Sequence, residues 1–435
     1  MHFSYEEAVN YILDVPRFTK KNVPEDTERF FDFLGRPGEN ALIVHVAGTN
    51  GKGSVCAYIS SVLERAGIST GLFSSPHLVD IRERFRLNGE MIGREAFASC
   101  LNRVMGGLEA FRLKTGKTEY HPTFFELLFF MGMLWFSDQK AEAVVLETGM
   151  GGRLDATNVV RRPAVCVITR IGMDHMEYLG DTKEKIAAEK AGIIKEGCPV
   201  VYDGTREDVS EVIEAYAAQM HSRAYAIRPE MYKILMNTHK TIDFSMDTGY
   251  YEPMDVLIDS VAEYQIMNAM EAVTAAEVMD IGLTEEDIHR GMERMHWQGR
   301  METVLPGVIL DGAHNDSGVE EFVKTARKFQ KDTKLTLLFS CVKEKDYDGM
   351  IRTICESLDF ESVVVTQIDS YRQVPSEELA QIFRKYTTRP VEEISFIDDA
   401  FDEAMKRKGD GVLFCVGSLY LVGSLKSLIR SRKNA

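Results

Sequence analysis

A glycine-rich loop between an apolar run and an amphipathic segment constrains the fold of this sequence most strongly. Residues 42–46 are mostly apolar and β-branched, which is typical of a buried strand, and a helical pattern begins near residue 54. In such a loop the backbone N–H groups surround a phosphate, a lysine neutralises its charge, and the helix N-terminus adds its dipole. The sequence therefore predicts a nucleoside triphosphate site formed by Gly48, Thr49, Asn50, Gly51, Lys52, Gly53 and Ser54.

The residue after the loop lysine departs from the usual phosphate-binding pattern, in which Ser or Thr follows directly. Gly53 stands at that position, and the first hydroxyl arrives at Ser54. Ser54 is thereby displaced from the place that usually contacts Mg²⁺, so a hydroxyl from another strand end becomes the better ligand. The alternative of a glycine-rich turn without a ligand is disfavoured by the strand and the helix predicted on either side.

Charge and cysteine content narrow the class of protein. The 435 residues suffice for two or three domains, and the net charge of -16 argues against a nucleic acid or an anionic membrane as partner. The 7 cysteines are scattered and odd in number, which predicts reduced thiols in a cytoplasmic protein. The acidic, amphipathic N-terminus does not resemble a signal peptide. The apolar run at 127–136 is too short to cross a bilayer.

Alternating strand and helix patterns predict two α/β domains. In the first domain, strands are predicted at 41–46, 71–74, 143–147 and 164–169, and helices at 54–66, 94–111, 123–136 and 182–195. Hairpins or an edge sheet are expected over 224–259, followed by helices at 263–279 and 285–295 and by strands at 308–310, 335–339, 362–366 and 412–416. Strands that alternate with helices form a parallel sheet covered on both faces. The predicted limits are 1–296 for the first domain, 297–300 for a linker and 301–435 for the second domain.

Polar side chains follow three of the predicted strands in the first domain. They are Ser75, Glu147 and His175. Because the carboxyl ends of parallel strands meet at one edge of a sheet, these residues should converge beside the phosphate loop. Hydroxyl and carboxylate oxygens with one imidazole could then hold a phosphate-bound Mg²⁺. The alternatives left open are a carboxylate that caps the next turn at Glu147 and an ordinary loop histidine at His175.

Lys190 occupies an unusual position in the predicted helix over 182–195. Asp181 fits the N-cap, Glu184 completes a capping box, and Gly197 lies where the helix should end. The neighbours of Lys190 on that helix are apolar, namely Ile186, Ala187, Ile193 and Ile194. The lysine either extends its amine to water along an apolar stem or is desolvated with a lowered pKa. A neutral amine could add CO₂ and become a carbamate that binds a second metal ion.

Ordered motifs throughout the chain resemble the folylpolyglutamate synthase/dihydrofolate synthase family within the Mur ligase superfamily of ATP-dependent amide ligases. In the first domain the matching segments are His45-Val46-Ala47-Gly48-Thr49-Asn50-Gly51-Lys52-Gly53-Ser54, Ser75-Pro76-His77-Leu78, Glu147-Thr148-Gly149-Met150-Gly151-Gly152-Arg153-Leu154-Asp155-Ala156-Thr157-Asn158, Asp174-His175 and Glu189-Lys190-Ala191-Gly192-Ile193. In the second they are Gly299-Arg300, Asp311-Gly312-Ala313-His314-Asn315 and Gly417-Ser418-Leu419-Tyr420. In this family a glycine after the P-loop lysine is itself characteristic.

The resemblance implies an architecture and a set of site residues. The first domain is expected to be a P-loop ATPase domain with a mainly parallel sheet, and the second a smaller Rossmann-like α/β domain. The implied metal ligands are Ser75, Glu147, His175 and a carbamylated Lys190, which would serve two Mg²⁺ ions. The implied ATP contacts are Asn268, Arg300, Asp311 and His314, so the nucleotide would bind between the domains.

The resemblance also implies a reaction. The chain would add L-glutamate to folate, with dihydropteroate as an alternative acceptor, through an acyl phosphate, and it would act as a monomer. Lys52, His175 and Lys190 would take part in catalysis, whereas Arg82, Arg84 and Glu126 would shape the folate pocket. The residues leave open which acceptor is used. Two other classes are weighed: another Mur-type ligase, which usually carries an extra N-terminal UDP-binding domain, and a nucleotide-binding regulator without catalysis.

Overall fold

The structure is a computed structural model that describes residues 2–15, 22–370 and 372–433. It divides into two compact units. The first comprises Met1–Ile234, Phe244–Ile258 and Met267–Met295, and the second comprises Leu235–Asp243, Asp259–Ile266 and His296–Ala435. Both units are built around α/β sheets, as the alternating pattern predicts. Each unit is a compact group of separate segments, whereas the domains inferred from the sequence are continuous ranges. The predicted domain limits therefore remain a prediction.

The first unit contains an eight-stranded sheet with the order β4-β3-β2-β5-β1-β6-β7-β8. Its strands are β1 Leu42–Ala47, β2 Thr70–Phe73, β3 Phe85–Leu87, β4 Glu90–Met91, β5 Ala143–Glu147, β6 Val165–Ile168, β7 Val200–Asp203 and β8 Ala224–Ile227. All neighbours from β2 to β8 pair in parallel, whereas β3 and β4 form an antiparallel edge. The parallel strands are buried on both faces, which explains their continuous apolar runs.

Helices cover both faces of this sheet. They are α1 Tyr5–Asp14, α2 Pro24–Phe33, α3 Lys52–Arg65, α4 Arg94–Thr115, α5 Phe124–Asp138, α6 Met176–Leu179, α7 Lys183–Ala191 and α8 Glu207–Gln219, followed later by α9 Tyr264–Val278 and α10 Glu285–Arg294. The apolar α5 is buried in an aromatic core with α1, α2 and α4, as its composition predicts. Within the described ranges, no helix is long and apolar enough to cross a membrane.

A separate three-stranded sheet follows β8, in the region where the sequence predicts hairpins. Its strands are β9 Tyr232–Asn237, β10 Ile242–Met246 and β11 Met254–Ile258, in the order β11-β10-β9. Strand β10 alternates buried and half-buried residues, which is the pattern of a sheet with one covered face.

The second unit contains a six-stranded sheet with the order β12-β13-β17-β14-β15-β16. Its strands are β12 Glu302–Leu305, β13 Val308–Leu310, β14 Leu335–Phe339, β15 Ser362–Val365, β16 Val391–Glu393 and β17 Val412–Val416. Its helices are α11 Asp316–Gln330, α12 Tyr347–Ser357, α13 Ser376–Tyr386, α14 Ile397–Lys408 and α15 Leu419–Lys433. Only β12 is antiparallel to its neighbour among the described strand pairs of this sheet.

Helix α7 differs from its prediction at both ends. The predicted N-cap at Asp181 is wrong, because Thr182 caps the helix by accepting the backbone N–H of Lys185 at 3.3 Å. Asp181 instead pairs with the Lys185 amine at 2.7 Å. The predicted end at residue 195 is also wrong. The helix ends at Ala191, and the following Gly192 packs closely against Arg153.

Candidate active site

The phosphate-binding loop joins β1 to α3 as the sequence predicts. Strand β1 ends at Ala47 and α3 begins at Lys52, with Gly51 at the N-cap in the left-handed conformation (φ 96°). A Cβ at Gly48 would overlap the Thr169 hydroxyl, and a Cβ at Gly51 would overlap the side chain of Asn268. Both positions therefore require glycine, and the loop lies directly against the end of β6 and against α9.

Hydrogen bonds fix the loop to the segment that follows β6. The backbone N–H groups of Thr49 and Asn50 donate to the carbonyl of Arg170 at 3.0 and 3.2 Å. The Thr49 hydroxyl donates to the Gly172 carbonyl at 3.1 Å, and the Thr169 hydroxyl donates to the Asn50 carbonyl at 2.7 Å. The loop and the segment leading to His175 are therefore held together. Sequence reasoning missed Thr169, since nothing in the local sequence marks a threonine whose partner lies more than a hundred residues away.

Two lysine amines converge on one carbonyl of the loop. Lys52 Nζ donates to Gly48 O at 2.9 Å and to Thr49 O at 3.2 Å, while Lys190 Nζ donates to Gly48 O at 2.7 Å. The Lys190 residue is only 3% exposed, so its amine does not extend to water along an apolar stem. Burial above all, and the nearby charge of Lys52, lower the pKa of Lys190 well below its ordinary value.

Ser75 and Glu147 lie side by side at the ends of neighbouring strands. Strand β5 ends at Glu147 and pairs in parallel with β2, which ends just before Ser74. The Glu147 carboxylate is 3% exposed, and its Oε2 accepts the backbone N–H of Ser75 at 2.9 Å. The predicted convergence of these two strand ends is therefore confirmed.

His175 lies in the turn that leads from β6 into α6. Its backbone is left-handed (φ 50°), its side chain is 40% exposed, and its backbone N–H donates to Asp174 Oδ1 at 2.9 Å. Across residues 2–15, 22–370 and 372–433, no three His, Cys, Asp or Glu side chains converge on a point that could hold a metal ion. The metal prediction therefore depends mainly on Ser75 and Glu147, which do meet.

The chemistry of these donors fits Mg²⁺ in part. Hydroxyl and carboxylate oxygens are the hard ligands that Mg²⁺ prefers, and Ser75 and Glu147 would be their source, since the backbone N–H of Ser75 donates to the Glu147 carboxylate and brings the two residues together. Lys190 does not fit as an ammonium group because a cation repels a metal ion. It fits only after its amine has become a carbamate, and its lowered pKa is the property that this conversion requires.

Two of the predicted substrate residues lie between β2 and β3. Arg84 is buried, and its Nε donates to His77 Nδ1 at 2.9 Å while its guanidinium lies 5.6 Å from the ring centre of Phe124. Arg82 pairs with Asp80 at 2.6 Å. Both arginines are held in place by protein partners, and their role towards a substrate stays a prediction.

Glu126, the third predicted substrate residue, caps helix α5. Its buried carboxylate accepts the backbone N–H of Thr123 at 2.6 Å and the side-chain amide of Asn22 at 2.7 Å. The hydroxyl of Thr27 donates to its other oxygen. These contacts tie α2 to the start of α5, so the structure gives Glu126 a structural role, and its contact with a substrate stays a prediction.

Two of the three predicted nucleotide contacts of the second unit, Asp311 and His314, follow β13, and the third, Arg300, lies just before β12. Asp311 is buried and accepts the backbone N–H groups of Met301 and Ala313, both at 2.8 Å. Burial raises the pKa of Asp311 despite the neighbouring charge of Arg300. The Arg300 guanidinium donates to the Gly299 carbonyl at 3.2 Å, and His314 Nδ1 lies 2.7 Å from the Gly312 carbonyl.

A buried polar network beneath the site was not anticipated from the sequence. Asp155 accepts hydrogen bonds from the backbone of Gly149 and Met150, both at 2.9 Å, and from the Thr157 hydroxyl at 2.7 Å. The Thr157 hydroxyl in turn lies 2.8 Å from His45 Nε2. Asp side chains in turns often accept the backbone N–H two residues on, as Asp155 does from Thr157 at 3.1 Å, and this tendency could have indicated part of the arrangement.

Comparison with known proteins identifies the class to which this site belongs. The Mur ligase middle domain family matches residues 46–276, and the Mur ligase glutamate ligase domain family matches residues 299–418. The fold is therefore that of a Mur ligase, an ATP-dependent ligase.

Individual relatives identify the family within that class. The dihydrofolate synthase/folylpolyglutamate synthase of Bacillus subtilis is 32% identical over 446 residues, covering 99% of this chain and 100% of the relative. The crystal structure of folylpolyglutamate synthase from Thermotoga maritima is 30% identical, covers 98% of this chain and 97% of its own, and superposes with a TM-score of 0.85. Mycobacterium tuberculosis folylpolyglutamate synthase complexed with ADP is 26% identical, with 98% of each chain covered and a TM-score of 0.87. The chain belongs to the folylpolyglutamate synthase/dihydrofolate synthase family and is an ATP-dependent glutamate ligase.

Proposed function

We propose that this ligase joins L-glutamate to a reduced folate, as a folylpolyglutamate synthase. The observation that carries the proposal is the meeting of Ser75 and Glu147 at strand ends next to a P-loop whose lysine begins α3. Dihydropteroate is the second candidate acceptor. It is favoured by the full-length similarity to the Bacillus subtilis relative, whose name includes both activities.

The proposed reaction has two steps. A carboxylate of the acceptor attacks the γ-phosphate of ATP, which forms an acyl phosphate and releases ADP. The α-amine of L-glutamate then attacks the acyl carbon, an amide bond forms, and phosphate leaves. Lys52 and the N–H groups at the start of α3 bind the phosphates and stabilise the charge that spreads over the transferring group. To do so, Lys52 exchanges its contacts with the Gly48 and Thr49 carbonyls for phosphate oxygens.

Ser75, Glu147 and His175 are proposed to hold Mg²⁺, which would shield phosphate charge during transfer. Lys190 is proposed to add CO₂ through its neutral amine, forming an N–C bond and releasing one proton to solvent. The product is a carboxylate in place of a cation, and it would hold a second Mg²⁺ together with His175. Support comes from the buried Lys190 amine and its lowered pKa.

Asn268 is proposed to contact the nucleotide, since its side chain lies against Gly51 of the P-loop. Arg300, Asp311 and His314 are proposed as nucleotide contacts of the second unit. Arg82 and Arg84 are stronger candidates for a substrate contact than Glu126, because the Glu126 carboxylate is occupied by the cap of α5.

An acceptor assay tests the reaction. Purified protein is supplied with ATP, Mg²⁺ and L-glutamate, and ADP release is followed with tetrahydrofolate, with dihydropteroate, or with neither. Release that requires both an acceptor and glutamate, with the amide product detected by mass spectrometry, is expected. A protein that binds ATP but releases no ADP with either acceptor would be a regulator rather than a ligase.

The proposed role of Lys52 is tested with a matched pair of variants. Lys52→Ala should abolish turnover because it removes the amine that binds phosphate. It should leave the circular dichroism spectrum unchanged because the protein loses only the contacts of that amine within the loop. Lys240→Ala, at an exposed loop position, should leave turnover unchanged. A Lys52→Ala variant with the normal ligase rate would contradict the phosphate role.

The proposed carbamate is tested on the same helix. Lys190→Ala should lose activity, and short carboxylic acids should restore part of it by occupying the place of the carbamate. Lys185→Ala, at an exposed position of α7, should retain activity without rescue. Independently, protein equilibrated with ¹³C-labelled bicarbonate should give a carbamate signal by NMR that is absent from Lys190→Ala. A wild-type protein without that signal would refute the modification.

A further inference from the structure

A buried ion pair joins the start of β12 to α15 in the second unit. The Lys426 amine donates to both carboxylate oxygens of Glu302, at 2.5 and 2.7 Å, and each side chain is only 7% exposed. Burial alone would raise the pKa of Glu302, but hydrogen bonds from His296 and Lys426, together with the charge of Lys426, outweigh it and hold the pKa at about 2. The Glu302 carboxylate is therefore charged at neutral pH.

The same carboxylate holds the backbone directly before Arg300. Glu302 Oε2 accepts the backbone N–H of Gly299 at 2.7 Å. The Gly299 carbonyl in turn accepts the backbone N–H of Gly312 at 2.8 Å and the guanidinium of Arg300 at 3.2 Å. Gly299 is thus fixed through both its N–H and its carbonyl, and its carbonyl contacts the Arg300 side chain directly.

Arg300 lies between two residues with a left-handed backbone. Gly299 has φ 70° and Met301 has φ 49°. Such a conformation is uncommon for a residue other than glycine, and it persists only where the surrounding structure enforces it. A buried carboxylate accepts the N–H of each residue: Glu302 holds Gly299, and Asp311 holds Met301 at 2.8 Å. The backbone that presents Arg300 therefore depends on these two acceptors.

Stability alone does not explain a buried ion pair at this place. Replacing both members of such a pair by apolar residues of similar size often leaves a protein equally stable, because the desolvation cost of the two charges disappears with their attraction. What an apolar pair could not supply is the oxygen that accepts the Gly299 N–H. That hydrogen bond is the specific contribution of Glu302, and Lys426 keeps the accepting carboxylate in place.

We propose that Glu302, held by Lys426, is a positioning residue that orients Arg300 towards the nucleotide. The inference rests on the proposed nucleotide contact of Arg300. Glu302 binds no nucleotide atom in this arrangement, and it acts through the N–H of Gly299. Its loss should therefore weaken nucleotide binding even in a protein whose fold is as stable as that of the wild type.

Two double variants separate this role from a purely structural one. Glu302→Gln/Lys426→Met and Glu302→Met/Lys426→Met both remove the two charges, so neither leaves a buried charge unpaired. Only the first keeps a side-chain oxygen that can accept the Gly299 N–H. Urea unfolding of both proteins reports their stability independently of nucleotide binding.

The measurements are the Kd for ADP by isothermal titration calorimetry and the KM for ATP in the ligase assay. Glu302→Met/Lys426→Met should raise both by about tenfold, whereas Glu302→Gln/Lys426→Met should stay within about threefold of the wild type. Asp359→Asn, which breaks an exposed pair with Arg389 in the same unit, should bind ADP as the wild type does. Equal ADP affinity in the two double variants, whether high or low, would overturn the proposal.

A charge-retaining variant serves if Glu302→Met/Lys426→Met does not fold. Glu302→Asp keeps a carboxylate opposite Lys426 but withdraws it from the Gly299 N–H, so it should also weaken ADP binding. Wild-type ADP affinity in Glu302→Asp would equally overturn the proposal.

Arg300→Ala distinguishes failure of the positioning role from failure of the proposed nucleotide contact. We expect Arg300→Ala to weaken ADP binding at least as much as Glu302→Met/Lys426→Met does. An Arg300→Ala protein with the wild-type ADP affinity would refute the nucleotide contact, and the positioning role would fall with it. A weakened Arg300→Ala beside two double variants of equal affinity would refute the positioning role alone.

Discussion

At Gly48 the phosphate-binding loop passes so close to the end of β6 that no side chain fits. The Thr169 hydroxyl occupies the place that a Cβ would take. Gly48→Ala should therefore displace the loop and reduce ATP affinity at least tenfold, measured by isothermal titration calorimetry. Gly106→Ala is the control, since Gly106 lies within α4 with open space around it and alanine favours a helix by about 0.5–1 kcal/mol. Equal ATP affinity in both variants would contradict the tight approach at Gly48.

The importance of a residue was predictable where its local sequence pattern is distinctive. It was not predictable where the residue's partners lie far away in sequence. Lys52 and Glu147 follow strands within recognisable motifs, and Lys190 stands out against the apolar residues of its own helix. Thr169 carries no such mark, because its importance comes from its contacts with Gly48 and Asn50. The left-handed backbone of His175 was likewise not predictable, since φ is set by the surrounding loop.

Among the elements, helix α7 offers a direct test of its corrected N-terminus. Thr182→Ala should lower the free energy of unfolding by about 1 kcal/mol, because it removes the acceptor for the backbone N–H of Lys185. Asp181→Ala should have little effect, since its pair with Lys185 is largely exposed to solvent. Urea unfolding measures both variants. A larger loss of unfolding free energy for Asp181→Ala than for Thr182→Ala would indicate that Asp181 is the N-cap, as the sequence pattern predicts.

The ends of elements were harder to predict than their cores. The bounds of β5, β13, β14 and β17 agree with the sequence pattern to the residue, because apolar runs bounded by polar residues define buried strands. Helix α7 carries an apolar pattern that continues through Ile193 and Ile194, which are buried although the helix has already ended. Periodicity thus identified burial correctly there but could not identify the end of the helix before Gly192, whose backbone lies close to Arg153.

At the scale of the whole molecule, the alternation of strands and helices was sufficient to predict two α/β sheets. It was not sufficient to predict that Leu235–Asp243 and Asp259–Ile266 belong to the second compact unit. The unit to which a segment belongs depends on its contacts with residues far apart in sequence. The hydrophobic pattern of a single sequence does not reveal those contacts. The same reasoning applies to the buried Asp155–Thr157–His45 network, in which His45 comes from a strand far in sequence from the other two residues.

His45 should make the stability of this fold dependent on pH. Burial above all, and the nearby charge of Lys195, lower the pKa of His45 to about 3, whereas an unfolded histidine titrates near ~6.5. Above pH ~6.5 the residue is neutral in both states and contributes no pH dependence. Below that value the unfolded chain binds a proton that the folded chain excludes. The free energy of unfolding should then fall by up to ~1.4 kcal/mol per pH unit, until the folded state also takes up the proton.

The comparison of wild type with His45→Gln isolates this contribution from the many carboxylates that also titrate in acid. Glutamine can donate to the Thr157 hydroxyl, which lies 2.8 Å from His45 Nε2 in the wild type, but it binds no proton. The difference in free energy of unfolding between the two proteins, from urea titrations, should be constant from pH 8 to 7 and should shift against the wild type at pH 5.5. His2→Gln, at an exposed position, should follow the wild type throughout. If the wild type and His45→Gln lose stability in parallel down to pH 5.5, the folded state must accept a proton at His45. The buried network would then have to open to solvent in acid, and the turn held by Asp155 would open with it.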